Sequence, residues 1–405
     1  MKFGLLKERK FPIDKRVVFS PYQLLEFKQQ FPNAELAVES SDVRIFKDEE
    51  YSVLGFNVTT DMSDCDVLIG VKEIPVDALL PNKSYFFFSH TIKKQAHNKN
   101  MLQAILDKDI TLYDHETVVD TSDKRLIGFG RYAGIVGTYN AFRAFGQKFE
   151  LFNLPRAETL ENKDALVERL KRPVLPPLKI VVTGKGKVGM GAKELLDAMK
   201  IKEVSVENFL TKIYSNPVYV QIDVLDYNKR IDGTIPQNYT DFFINPTAYT
   251  SDFSRFAQVS DIYIAGHFYA NDAPVIVTRE LLKDKKNKIK VIADVSCDVN
   301  GPIASTVRAS TIANPFYGYN PSTGEETDMH HPAAIVVMAV DNLPCELPRD
   351  SSEGFGEMFL KNVIPAFFNG DKDAILARAR ITEKGMLTEK FKYLNDYVSQ
   401  NVPHE

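Results

Sequence analysis

The sequence predicts an α/β fold made of two doubly wound domains with mainly parallel sheets. Three observations carry that expectation. The first third alternates near-continuous apolar runs with amphipathic stretches, and the proline-dense segment LKRPVLPPLK (170–179) is followed at once by a second series of the same kind. A chain of 405 residues, 44% of them hydrophobic, also supplies enough apolar mass for two cores.

Each element follows in order. KFGLL (2–6) reads as a strand, YQLLEFKQQF (22–31) as a helix and CDVLIGV (65–71) as a strand. YFFFSH (85–90) is the next strand, MLQAILDK (101–108) a helix and ITLYDHE (110–116) a strand. Strands so evenly apolar are buried on both faces, as parallel sheets require. In RYAGIVGTYNAFRAFGQKF, residues Tyr132, Ile135, Val136, Tyr139, Phe142 and Phe149 share one face of a long helix, which is expected to act as a spine between the domains. AAIVVMAVD (333–341) reads as another buried strand. The helices from Phe355 onward are too few for a domain of their own and are expected to return to the first one.

Composition narrows the function classes. Lys+Arg 50 against Asp+Glu 54, a net charge of -4, leaves no basic stripe for nucleic acid and no polybasic run for a membrane surface, so small-molecule partners are expected. Cys65, Cys297 and Cys345 have no C-x-x-C spacing, which suits thiols in a reducing compartment. MKFGLLKERKFP lacks the apolar core and cleavage site of a secretory signal, and no apolar run reaches transmembrane length. The expectation is a soluble cytoplasmic protein, or one of an organelle matrix if a targeting segment has been removed. Nothing in these patterns sets an oligomeric state.

LKIVVTGKGKVGMGAKELLDAM places a G-x-G-x-x-G between a strand and a helix whose apolar positions Ala192, Leu195, Leu196 and Met199 keep helical spacing. Glycines there let backbone N–H groups and the helix N-terminus approach a pyrophosphate, so the loop predicts a Rossmann-like site for NAD or NADP. The expected contacts are Gly184, Gly186, Lys187, Val188 and Gly189, with Lys185 also in reach of phosphate and Gly191 as an extra glycine. An acid about 20 residues past the loop holds the adenosine ribose in such sites. Glu207 lies near that spacing, and Asp223 is its rival. The expected division is therefore 1–131 plus 334–405 for a substrate and catalytic domain, and 132–333 for a dinucleotide-binding domain.

In α/β sheets chemistry collects at the carboxyl ends of strands. GVKEIP puts Lys72 and Glu73 at one such end, FFFSHTIKKQ puts His90 at another with Lys93 one turn on, KRVVFSP adds Arg16 and DKRLIGFG adds Arg125. Singly, each is an ordinary solvated charge or packed histidine. Together they form a cationic pocket with one histidine, suited to a dicarboxylate or amino-acid substrate because guanidinium pairs carboxylate in bidentate geometry. No metal site is expected: His330 and His331 are adjacent and have no second ligand pair at useful spacing.

KERKFPIDKRVVFSP, GVKEIP, FFFSHTIKKQ, TLYDHETVVD, RLIGFGRYAGIVG, ADVSCDVNGPIASTVRASTIANPFYGYNP and AVDNLPCELPRDSSEGFG occur in this order over nearly the whole chain. In this the chain resembles the saccharopine dehydrogenases of the lysine-forming type, and especially the lysine-ketoglutarate reductase part of the bifunctional lysine-degrading enzymes, within the alanine dehydrogenase and transhydrogenase superfamily. The resemblance implies a cleft between two lobes, a nicotinamide cofactor on the glycine-rich domain, and reversible oxidative cleavage of saccharopine to L-lysine and 2-oxoglutarate. It implies that Lys72 is acid/base toward the substrate amine and His90 toward the imine and carbinolamine. Arg16, Lys93 and Arg125 would line the substrate site, Glu73 would tune Lys72, and Asp294, Asn300 and Arg308 would face cofactor and cleft.

The residue types suit that chemistry. Hydride leaves a carbon bearing an amine that must first lose its proton, which a lysine crowded by other cations can take, and imine hydrolysis needs a group titrating near neutrality. Two departures stand out. The segment 223–262 is long, as in the reductase branch, which is commonly NADP-linked, and Arg131 adds a cation beside the spine helix. The competing expectations are an alanine-dehydrogenase-like enzyme acting on a small amino acid, and a nucleotide-binding protein without turnover.

Overall fold

The computed structural model describes residues 1–270 and 272–399. It divides into two compact units, Met1–Phe129 with Pro348–Glu405, and Gly130–Leu347.

The first unit is built on six strands: β1 (Lys2–Leu5), β2 (Glu35–Glu39), β3 (Asn57–Thr59), β4 (Val67–Lys72), β5 (Ser84–Phe88) and β6 (Thr111–Asp114). Every pairing is parallel, in the order β3-β2-β1-β4-β5-β6. The order reverses between β1 and β4, and the crevice beyond their carboxyl ends is where such sheets bind ligands. Strand alternation sends Phe86 and Phe88 into one core with Phe3, Ile69 and Val71, and Tyr85 and Phe87 into the opposite one with Leu68 and Leu112. Phe86, 0% exposed, stacks on Tyr113 at 4.5 Å, burial that by itself stabilises by about 1.5–3 kcal/mol. Helix α1 (Pro21–Gln30) starts on a capping box, Ser20 with Gln23, and carries proline in its first turn.

The second unit is built on an eight-stranded sheet. Its strands are β7 (Lys179–Thr183), β8 (Lys202–Glu203), β9 (Val218–Ile222), and, after the antiparallel pair β10 (Asn228–Arg230) and β11 (Tyr249–Ser251), β12 (Ile262–Ala265), β13 (Val291–Asp294), β14 (Phe316–Asn320), β15 (Glu325–Thr327) and β16 (Ile335–Met338). The sheet order is β15-β14-β16-β13-β12-β7-β9-β8, parallel except where β14 pairs with its two neighbours. Strand β16 therefore belongs here, although its segment was expected with the C-terminal helices. Its four residues are all buried, and only an interior slot between β13 and β14 covers both faces.

The long helix spans Gly130–Lys148. Its middle is buried all round and not on one stripe, and Phe149 falls past its end, 41% exposed. It packs on the glycine-loop helix Lys187–Ala198 through backbone contact: a Cβ on Gly134 would lie 1.9 Å from Val188 O, and one on Gly191 1.9 Å from Arg131 O. Among the described residues no helix is long and apolar enough to cross a membrane.

Candidate active site

In the first unit, β1 ends at Leu5, and Leu6 N–H donates to Ile69 O at 2.8 Å. The chain then leaves the sheet, and the Glu8 side chain takes over as pairing partner of β4. Val71 N–H donates to Glu8 Oε1 at 2.7 Å and Lys72 N–H to Oε2 at 2.8 Å, where the β4–β5 register shifts. Burial and the neighbouring Asp14 push Glu8 up to about 8 against the pull of those two N–H groups. His115 Nε2 lies 2.8 Å from Gly70 O, so the segment carrying Lys72 is held by two side chains from outside β4. Burial pushes this histidine down to about 4, and its ring sits among Phe86, Phe88, Phe355 and Phe359.

Parallel pairing sets Phe88 opposite Lys72, and His90 follows two residues on. The strand stops at Phe88 because Ser89 turns the chain and His90 adopts φ 54°, a left-handed conformation uncommon for a residue with a Cβ. His90 Nδ1 is 3.3 Å from Glu116 Oε2 and 3.2 Å from Lys93 Nζ. A carboxylate on one side and an ammonium on the other serve Nδ1 whether or not it carries the proton. Among the described residues Nε2 of His90 has no hydrogen-bond partner, which leaves it as the nitrogen for chemistry.

Glu116 is the centre of this cluster: Lys93 Nζ is 3.2 Å and Arg125 Nη2 3.0 Å from its Oε1. Burial would raise its pKa, but the His90 hydrogen bond and the charges of Lys93 and Arg125 outweigh burial and hold it down at about 2.

The other cations are paired too. Arg16 is 4% exposed, donates to Asp14 Oδ1 at 3.0 Å from Nε and to Oδ2 at 2.6 Å from Nη2, and lies 4.2 Å over the Phe129 ring. Burial opposes ionisation of Asp14, yet Arg16 and Lys72 bring it down to about 2. Glu73 accepts from Lys10 at 2.6 Å, while its Oε2 has no partner among the described residues. The pocket is thus charge-balanced and not simply cationic, because buried cations persist only when paired. Sequence reasoning missed Glu8, Asp14, Asp114 and Glu116. Asp14 stands two positions before Arg16 in PIDKR, a local signal, whereas Glu8, Asp114 and Glu116 are not next to any of the chosen bases and come near them only through the fold.

In the second unit the glycine loop has a cradle that a Cβ would fill. Gly184 has φ +92° with Gly266 O 2.6 Å from its Cβ position, Gly189's would lie 1.9 Å from Gly184 O, and nothing lies within 4 Å of Gly186's. The open face at Gly186, the N-cap of the following helix, fits a dinucleotide pyrophosphate. Lys187 and Val188 open that helix against Gly130 and Gly134.

Glu207 is exposed in the first turn of the helix Val206–Thr211, which follows the two-residue edge strand β8. The strand beside β7 is β9, and Asp223 directly follows it, next to the hydrogen bond from Gly184 N to Ile222 O at 2.8 Å.

Asp294 is fully buried and engaged by its own loop: Oδ1 accepts from Ser296 Oγ at 2.6 Å and Oδ2 from Thr306 Oγ1 at 2.6 Å. Asn300 is left-handed in that loop, Arg308 pairs with Glu326 at 2.7 Å, and Arg131 pairs with Glu194 at 2.6 Å. Those guanidiniums tie elements of the second unit together.

Comparison with known proteins fits this architecture. The family model for the alanine dehydrogenase/PNT N-terminal domain matches residues 4–136, and that for the C-terminal domain matches residues 171–396. The chain belongs to the alanine dehydrogenase/PNT family. Among members of known structure, L-alanine dehydrogenase aligns with TM-score 0.64 and 17% identity over 98% of this chain and 100% of that one. The alpha-aminoadipic semialdehyde synthase of Arabidopsis thaliana is 27% identical over 401 residues, 89% of this chain and 38% of that protein. The chain thus spans less than half the length of the semialdehyde synthases it matches. Saccharopine dehydrogenase (NAD(+), L-lysine-forming) of Yarrowia lipolytica is 27% identical over 346 residues, 82% of this chain and 83% of that one.

Proposed function

We propose that this protein is an NAD-dependent oxidoreductase of the CH–NH bond of saccharopine, reversibly giving L-lysine and 2-oxoglutarate. The observation that carries the reading is the grouping at neighbouring strand ends: Lys72 on β4, and His90 on the following turn with Glu116, Lys93 and Arg125 around it. Similarity to saccharopine dehydrogenases over most of both chains supports it.

The bound nicotinamide supplies the hydride acceptor or donor. Lys72 takes the proton of the secondary amine, with Glu8 fixing its backbone and Asp14 its electrostatic surroundings. His90 moves protons at Nε2 during imine hydrolysis while Glu116 orients its Nδ1. Lys93 and Arg125, each about half exposed at the side chain, bind substrate carboxylates in competition with Glu116. Asp223 binds the adenosine ribose and its charge repels a 2′-phosphate, so NAD is preferred over NADP. The reaction involves two small substrates and fits a cytoplasmic setting. Substrate and catalytic groups belong to residues 1–131 and the C-terminal helices, and the dinucleotide to the glycine-loop unit.

Purified protein given NADH, 2-oxoglutarate and L-lysine should oxidise NADH only when both substrates are present. Oxidation with pyruvate and ammonia instead would move the assignment to alanine-dehydrogenase chemistry, and cofactor binding without oxidation would leave a nucleotide-binding protein. His90→Ala should lower kcat by about 10²–10⁴-fold with little change in NADH binding.

A further inference from the structure

We propose that Asp114 is a positioning residue that sets the geometry of the His90–Glu116 pair. It stands at the carboxyl end of β6, is 0% exposed, and is opposite Phe87 in the β5–β6 ladder. One carboxylate reaches both halves of the pair. Oδ2 accepts from Ser89 N–H at 2.9 Å and from Ser89 Oγ, and Oδ1 accepts from Glu116 N–H at 2.7 Å. Ser89 Oγ is in turn 2.8 Å from Thr91 Oγ1. The residues on both sides of His90 are therefore tied down.

That restraint has work to do. His90 is left-handed at φ 54°, a conformation that costs a β-carbon residue energy and persists only where its surroundings over-determine it. The contact to be held is marginal as well: 3.3 Å between Nδ1 and Glu116 Oε2 lies at the long end of a hydrogen bond, so a small displacement of either backbone breaks it. Asp114 links both backbones rigidly through a single planar group. The Ser89 N–H is buried and the Glu116 N–H partly so, and among the described residues no other acceptor satisfies them.

The inference rests on the reading of His90 as the acid/base group, and its test separates the two. Asp114→Asn keeps the shape but exchanges one acceptor oxygen for an NH2 that faces a donor. With the folded protein confirmed by circular dichroism, kcat should fall about 10–100-fold, as a misplaced catalytic group predicts, and KM for NADH should stay within roughly twofold. The side-chain ¹⁵N resonance of His90 Nδ1 should move toward its position in Glu116→Gln, and the double variant should match Glu116→Gln alone. That spectrum is read even if the wild-type protein turns over no saccharopine, in which case the functional reading fails and the positioning role is still decided. Should Asp114→Asn not fold, Ser89→Ala, which removes only the Oγ contacts, should shift the same resonance in the same direction by less. A wild-type Nδ1 resonance and unchanged kcat in a folded variant would overturn the proposal.

Discussion

Glu116 shows how a site of this kind works at the scale of one residue. A half-buried carboxylate is expensive unless paired, and here three bases share it, so the anion is kept at low pH and His90 is oriented at the same time. The pH dependence follows. Its folded pKa of about 2 is depressed from an ordinary 4.5, so its stabilising contribution is fully present above pH 4.5 and is lost as pH falls toward 2. At about 1.4 kcal/mol per unit, the loss is on the order of 3 kcal/mol, an upper figure since Lys93 and Arg125 are half solvated. Unfolding titrations between pH 5 and pH 2 should show a shallower decline in Glu116→Gln than in the wild type. Parallel curves would contradict the pairing. None of this was visible in TLYDHETVVD alone, because the three bases come from other segments of the chain.

Among the elements, the helix contact at Gly134 and Gly191 depends on the absence of side chains. Alanine inside a helix gains about 1 kcal/mol over glycine in propensity. A Cβ at 1.9 Å from Val188 O costs more than that, since backbone cannot swing aside as a flexible side chain can. Gly134→Ala should therefore destabilise by about 3 kcal/mol or more in denaturant unfolding. A neutral result would mean the two helices separate without cost. The same close approach holds Lys187, Val188 and the open Gly186 in place, which links packing to cofactor geometry. Periodicity located this helix but gave it a single buried stripe. The all-round burial of its middle comes from covering by the sheet and by the glycine-loop helix, which no local pattern encodes.

For the whole molecule, the order of strands decides which residues meet. Spacing along the chain favoured Glu207 as ribose partner, but β8 has only two residues and sits at the sheet edge, so β9 takes the place beside β7 and brings Asp223 to the loop. Ligand at 100 times its Kd stabilises a protein by about 2.7 kcal/mol, so NADH binding is readable as a rise in Tm. Asp223→Ala should lose most of that rise and narrow the gap between NADH and NADPH, whereas Glu207→Ala should leave both as in the wild type. The reverse pattern would return the role to Glu207.

The amino-acid sequence by itself determined the two parallel-sheet units, the strand–loop–helix setting of Gly184, Gly186 and Gly189, and the positions of Lys72 and His90 at strand ends, because apolar period and glycine sterics act over a few residues. Only the tertiary structure decided that β16 joins the second sheet, that Arg16 belongs to Asp14, that Glu8 completes the edge of β4, and that Glu116 gathers three bases. Most of those depend on pairings between distant segments, favoured because buried charges and backbone groups cost least when they find partners.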